Sequence, residues 1–114
     1  RSVVYHGIYL IGLFKNMKIE NGETALIVLH SPREKLIGIV NEIGAAGIHI
    51  RAIDLGYFDD WVRSIAAGEE HLPMTDYFFP MWRVERLTRD ESGHGVASMT
   101  EQFNQRTGRE LGEF

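Results

Sequence analysis

Five consecutive residues, His30-Ser31-Pro32-Arg33-Glu34, bring together four groups that can do chemistry: an imidazole, a hydroxyl, a guanidinium and a carboxylate. Because they follow an apolar run, we place them on a turn at a strand end, where a rigid sheet commonly holds a binding site. Arg51 and Asp54, near the end of a later strand, can face the same rim. The sequence therefore predicts a ligand-binding rim formed by His30, Arg33, Glu34, Arg51 and Asp54.

The chemistry that this rim could support is limited. Ser31 and Glu34 have the spacing of a capping box, which gives both residues an ordinary structural role at a turn. Neighbouring residues on a strand point to opposite faces, so we expect that His30 does not activate Ser31 as a nucleophile. A small-molecule or metal-dependent enzyme at the His30–Glu34 rim is the third of our functional hypotheses.

A second group of residues points to nucleic acid. Arg83, Arg86 and Arg89 recur at every third position, with the aromatic Trp82 beside them. Arginines interleaved with aromatic side chains bind single-stranded nucleic acid by backbone contacts and base stacking. Acidic residues within residues 85–91 oppose this charge, and the formal net charge of the chain is −4, which disfavours nucleic acid as a partner. The predicted nucleic-acid site consists of Trp82, Arg83, Arg86 and Arg89.

An apolar segment at residues 78–82 indicates a contact between copies of the chain. Aromatic residues make up 11% of the chain, more than the inside of one small barrel can bury. The segment contains residue types that are enriched at interfaces, and Pro80 within it is tolerated on an edge strand. We therefore predict a homo-oligomer, either a two-fold dimer or a ring, with an interface formed by Phe78, Phe79, Met81 and Trp82.

Several kinds of site are excluded by what the sequence lacks. It has no cysteine, which excludes a disulfide scaffold, a thiol nucleophile and a cysteine-bound metal. Its five histidines include no pair at the i, i+2 or i, i+4 spacing of a local metal site. The glycines at positions 44 and 47 lie between strands, with no helix start to hold a phosphate. We expect no catalytic residue, no metal and no cofactor.

Length and composition indicate one folded domain. The chain has 114 residues, 44% of them hydrophobic and 25% charged, close to the average of globular domains. The apolar run at residues 8–14 is far shorter than the about 20 residues of a membrane-spanning helix, so we expect no membrane partner. We predict a single domain over residues 17–114 of a cytoplasmic protein, with residues 1–16 as an arm or an extra strand.

The elements that must position these residues follow from the hydrophobic periodicity. Apolar, β-branched runs predict strands at residues 24–29, 35–40 and 48–53, and two further strands follow at 77–79 and 83–88. An apolar stripe at Phe58, Trp61, Val62 and Ile65 predicts a helix over residues 58–67. A second capping box at Ser98 predicts a C-terminal helix over residues 98–107. The predicted fold is therefore mainly β with two helices, a small five-stranded antiparallel barrel.

The predicted core takes the inward positions of the strands and the apolar stripe of the first helix. On the third strand, Ile48 and Ile50 alternate with the polar His49 and Arg51, which we expect to point outward. The predicted core residues are Leu26, Val28, Val40, Ile48, Ile50, Trp61, Ile65 and Val84.

This order of strands resembles the small SH3-like barrels, and among them the Sm-like family. In the Sm-like pattern a glycine in the second strand is followed by apolar residues two and five positions later, and Gly38, Val40 and Ile43 stand at those positions. The short final pair of strands in that family is similar to residues 79–87. The chain also resembles short bacterial proteins that share the spelling LHSPREK, a resemblance that implies no function.

The Sm-like resemblance implies a fold rather than a binding site. The RNA pocket of that family requires an acidic residue and an asparagine at a turn, where this sequence has Gly44 and Ile48. The basic pair that the family presents before its last strand is replaced by Met81 and Trp82. Our leading functional hypothesis is therefore a non-enzymatic, homo-oligomeric interaction or structural scaffold. An Sm-like nucleic-acid-binding module is the second hypothesis.

Overall fold

The computed structural model describes residues 18–114. The predicted N-terminal arm or extra strand at residues 1–16 lies outside the described residues. Over these described residues the elements are five strands, two α-helices and three single-turn 3-10 helices. The strands are β1 (Thr24–Leu29), β2 (Glu34–Ile43), β3 (Gly47–Asp54), β4 (Thr75–Pro80) and β5 (Val84–Arg89). The helices are α1 (Phe58–Ala66) and α2 (Met99–Thr107), and the 3-10 turns are Leu55–Tyr57, Met81–Arg83 and Leu111–Glu113.

The five strands form one antiparallel sheet in the order β4-β3-β2-β1-β5. The predicted mainly β fold with two helices is confirmed, but the barrel is not closed, because within residues 18–114 β4 and β5 form no ladder with each other. The 3-10 turn Met81–Arg83 is the physical reason. Its first residue donates an N–H to the Ala46 carbonyl oxygen beside β3, and its last residue accepts the N–H of His30 at the end of β1, so β4 continues along β3 and β5 along β1.

Strand β2 approaches β3 very closely at Gly38. A Cβ atom on Gly38 would lie 2.1 Å from the carbonyl oxygen of Arg51 and 2.6 Å from the Cα of Ala52, so only glycine allows β3 to approach so closely. The pairing of β2 with β3 also shifts register between Val40 and Glu42, and such bulges increase local twist. Gly38 and the bulge together therefore fix the close packing of β2 against β3.

The coiled sheet encloses one apolar core on its inner face. Alternate residues of β1, β2 and β3 point into this core, as the period of two requires. Its buried members are Ala25, Ile27, Leu29, Leu36, Val40, Ile48, Ile50, Ala52 and Phe79.

A second core lies between the outer face of the sheet and the two helices. Helix α1 buries the predicted stripe of Phe58, Trp61, Val62 and Ile65, and α2 contributes the fully buried Phe103. The indole N–H of Trp61 donates to the carbonyl oxygen of Leu72 at 2.6 Å, which satisfies its polar atom inside the core. Within residues 18–114, no helix has the length and apolar character needed to cross a membrane.

The predicted core is largely confirmed. Val28, Val40, Ile48, Ile50, Trp61 and Ile65 are buried, and His49 is exposed on the opposite side of β3 as expected. Leu26 and Val84 are only half-buried. Leu26 packs at the margin of the second core, and Val84 begins an edge strand. Both positions therefore keep contact with water.

Candidate functional site

Among residues 18–114, β4 is an edge strand, and its outer side carries backbone groups that can pair with another strand. The N–H of Met81 donates to the carbonyl oxygen of Ala46 at 2.9 Å, which fixes the phase of the β3–β4 ladder. Because hydrogen-bonded pairs alternate in an antiparallel ladder, the N–H and C=O groups of Asp76 and Phe78 point away from β3. Pro80 has the same phase, so the donor that it lacks would have faced away from the ladder as well.

The side chains of β4 divide between the two faces of the sheet. Tyr77 and Phe79 point into the inner core, where their rings stack at 5.0 Å between centroids and 17° between planes. Phe78 points the other way and is 47% exposed, with its ring 4.7 Å from that of His49. The edge of β4 therefore combines unpaired backbone with an exposed aromatic ring.

Two further apolar side chains continue this surface into the 3-10 turn. Met81 is 38% exposed and Trp82 is 65% exposed, and the Trp82 ring contacts the imidazole of His30 edge-on at 6.4 Å. We name the three residues Phe78, Met81 and Trp82 the β4 corner. Phe79, the fourth member of the predicted interface, does not belong to this surface, because it is 6% exposed and packs in the inner core.

Arg83 holds the β4 corner against the turn between β1 and β2. Its guanidinium Nη2 donates to the Glu34 carboxylate and to the Pro32 carbonyl oxygen, both at 2.8 Å, and its Nε donates to the His30 carbonyl oxygen at 3.2 Å. The Arg83 side chain is 16% exposed. It joins the predicted rim to the predicted nucleic-acid site, and its donors are engaged within the fold.

The remaining residues of the predicted rim do not come together. Arg33 lies 3.6 Å from Glu85 in a solvent-exposed ion pair, and Asp54 accepts the N–H of Gly56 at 2.8 Å. Arg51 lies on the outer face of the sheet and binds Asp76 at 3.0 Å and the Phe114 carbonyl oxygen at 2.8 Å. Over the described part of the chain, no group of three or more His, Cys, Asp or Glu side chains is placed to hold a metal ion.

His30 and Ser31 lie closer than strand alternation predicts. The Ser31 hydroxyl is 3.1 Å from Nδ1 of His30, because both residues belong to the turn rather than to β1. Ser31 has a φ of 60° and begins no helix, so the capping-box interpretation of Ser31 and Glu34 is wrong as well. Within residues 18–114 the other ring nitrogen of His30 has no hydrogen-bond partner, and no acidic group orients the imidazole as a general base requires.

The predicted arginine stripe on β5 is interrupted by ion pairs. Arg89 donates to the Glu23 carboxylate at 2.7 Å and to the Lys18 carbonyl oxygen at 2.6 Å. The hydrogen bond from Arg89 lowers the pKa of Glu23 below its ordinary value. With Arg83 engaged as described, Arg86 is the member of the stripe whose side chain has no ion pair within residues 18–114. Nucleic-acid binding at this stripe stays a prediction.

Sequence reasoning missed the difference between Phe78 and Phe79. It also did not find that Lys35, which has no ion pair within residues 18–114, lies in one row with Arg86. A strict alternation with Tyr77 and Phe79 inward would have separated the two phenylalanines. The neighbourhood of Lys35 and Arg86 depends on strand register, which carries no local signal.

Comparison with known proteins finds no family model, no curated protein and no solved structure that matches this chain.

Proposed function

We propose that this protein is a non-enzymatic interaction scaffold that self-associates through the β4 corner. The observation that carries the proposal is the exposure of Trp82 and Phe78 beside a strand edge whose backbone N–H and C=O groups have no partner strand within residues 18–114. Large apolar side chains on the surface mark interaction sites, and an unpaired edge is a template for another strand.

The chemistry of the two sheet edges favours contact between like edges. A ring would require the apolar edge of β4 to pair with β5 of the next copy, whose sequence VERLTR is rich in charge. A two-fold dimer instead places one β4 edge against another, so that both exposed Phe78 rings leave water together. We therefore propose a dimer with antiparallel β4 strands.

Light scattering on the purified chain, combined with two double variants, tests this proposal. Phe78→Asp with Trp82→Lys places opposite charges on the β4 corner. The matched control, Leu72→Asp with Val96→Lys, makes the same replacements at two exposed apolar residues of other loops, each 63% exposed. We expect the parent and the control to have twice the monomer mass of 13.0 kDa, and the β4 variant to be monomeric.

Three results would contradict the proposal. A parent that is monomeric at micromolar concentration would remove self-association altogether. A dimer that survives in the β4 variant would place the contact on another surface. A ring mass would contradict the two-fold arrangement. All substituted residues are exposed, so we expect both variants to unfold at the parent's denaturant midpoint when measured as monomers.

A further inference from the structure

A groove on the outer face of the sheet lies beside the second core, on the side of β5. It has a volume of about 410 Å³, within the size range of small-molecule sites. Its apolar floor includes Leu26 and Val28 of β1, and Leu55 of the first 3-10 turn forms one wall. The groove lies at the β5 side of the sheet, whereas the β4 corner extends from the opposite edge.

Two basic residues flank the floor of this groove. Val28 pairs with Lys35 of β2 on one side and with Arg86 of β5 on the other, so the three residues form one row across the sheet. Two strand spacings place the backbones of Lys35 and Arg86 roughly 10 Å apart. Both residues line the groove and both are exposed.

Neither cation is neutralised by a neighbouring carboxylate. Across residues 18–114 the side chains of Lys35 and Arg86 make no ion pair and no hydrogen bond. The acidic side chains nearby are already engaged. Glu34 binds Arg83, Glu85 lies beside Arg33, and Glu23 binds Arg89. Two cations of like sign beside an apolar floor create a positive potential that an anion would relieve.

We propose that this groove binds a small amphipathic carboxylate. The apolar body of the ligand would cover Leu26 and Leu55, whose half-buried side chains would then leave water. Its carboxylate would lie between Lys35 and Arg86, where the planar fork of the guanidinium can donate two parallel hydrogen bonds. The Thr88 hydroxyl, at the other end of the groove, adds a polar group that can contact the ligand.

Charge complementarity favours this ligand over the N-terminal part of the chain itself. Residues 1–17 are rich in apolar side chains, but they contain no Asp and no Glu and they carry Arg1 and Lys15. They could cover the floor of the groove without neutralising Lys35 and Arg86. An external anion with an apolar body satisfies both features.

The experiment titrates the full-length chain with octanoate and, separately, with octanol, and follows the backbone amides by NMR. We expect saturable shifts at Leu26, Val28, Leu55 and Thr88 with octanoate, and binding of octanol at least tenfold weaker. The Lys35→Gln, Arg86→Gln variant should bind octanoate at least tenfold more weakly than the parent. The control variant Lys18→Gln, Arg63→Gln removes the same charge from exposed positions that do not line the groove, and its affinity should stay within twofold of the parent.

Several outcomes would overturn the proposal. Equal affinities for octanoate and octanol would show that the cations do not select the ligand. Equal weakening in both variants would show a general charge effect. Shifts confined to other residues, or no shift at octanoate concentrations on the order of 10 mM, would show that the groove is not the site. Nuclear Overhauser contacts between residues 1–17 and the groove floor would show that the chain itself occupies it.

Discussion

The two edge strands of the sheet expose similar backbone groups but very different side chains. β4 presents Phe78 at its free edge and continues into the exposed Met81 and Trp82. β5 presents Glu85 and Arg86, which are both exposed and charged. Charged side chains on an edge strand discourage pairing with another chain, whereas exposed aromatic side chains favour contact. The side chains, rather than the backbone groups alone, therefore distinguish an interaction edge from a protected one.

The ion pairs of the two edge strands also differ, because those at β5 are less exposed than the one at β4. Arg83 and Arg89 bind the fold at both ends of β5 through Glu34 and Glu23. On β4, Asp76 binds Arg51 in a more exposed pair at the end far from the β4 corner. The β5 edge is therefore fastened to the rest of the molecule by its own charges, while the β4 corner remains open to a partner.

The largest expected effect separates two neighbouring residues of β4. Phe79→Ala should lower the free energy of unfolding by about 3–5 kcal/mol, because it removes a buried ring and leaves a cavity in the inner core. Phe78→Ala should change it by less than about 1 kcal/mol in the monomer, because its ring is half-exposed. Chemical denaturation at a concentration below dimerisation measures both. Equal losses would show that the two rings do not lie on opposite faces.

The next prediction compares two arginines at the β5 side. Arg83→Ala should lower the free energy of unfolding by roughly 1.5–3 kcal/mol, because it leaves the Glu34 carboxylate and two carbonyl oxygens without their charged donor. Arg86→Ala should stay within about 0.5 kcal/mol of the parent, because that side chain has no partner within residues 18–114. A loss of stability at Arg86 as large as at Arg83 would show that the contacts of Arg83 with the turn between β1 and β2 have no special role in stability.

A smaller effect concerns pH. The pKa of Glu23 is lowered in the folded chain by its hydrogen bond with Arg89. This pair therefore contributes stability that is present above the ordinary glutamate pKa of about 4.3 and is lost as the pH falls through the lower folded pKa. Glu23→Gln should reduce the difference in unfolding midpoint between pH 6 and pH 3. An unchanged difference would show that the end of β5 is not fastened by this carboxylate.

The smallest expected effect is on nucleic acid. The Arg83 and Arg89 guanidinium groups are engaged by Glu34 and Glu23, and the net charge is −4. We therefore expect no tight binding of oligo-U or oligo-A at about 150 mM salt, where phosphate contacts are already screened. Fluorescence anisotropy measures this directly. A nanomolar dissociation constant would contradict this expectation and would support nucleic-acid binding at the arginine stripe.

Sequence patterns predicted the elements better than the sites. The change from alternating Ile48 and Ile50 to the helical spacing of Trp61 and Ile65 is a local signal, and the structure confirms both elements. The rim failed because Arg51 belongs to the outer face of β3, where it reaches Asp76 and Phe114, residues distant in sequence. Barrel closure and the row of Lys35 and Arg86 depend on strand register, which no single segment determines.

Amide hydrogen exchange at the two edge strands tests most directly whether the chain self-associates through β4. The N–H groups of Asp76 and Phe78 point away from β3. On β5, Asp90 donates its N–H to the Thr24 carbonyl oxygen, and because bonded positions alternate along the ladder, the Leu87 N–H points away from β1. If β4 mediates self-association, Asp76 and Phe78 should become protected as the protein concentration rises, while Leu87 continues to exchange rapidly. Equal, concentration-independent exchange at all three amides, or protection that grows only at Leu87, would contradict self-association through β4.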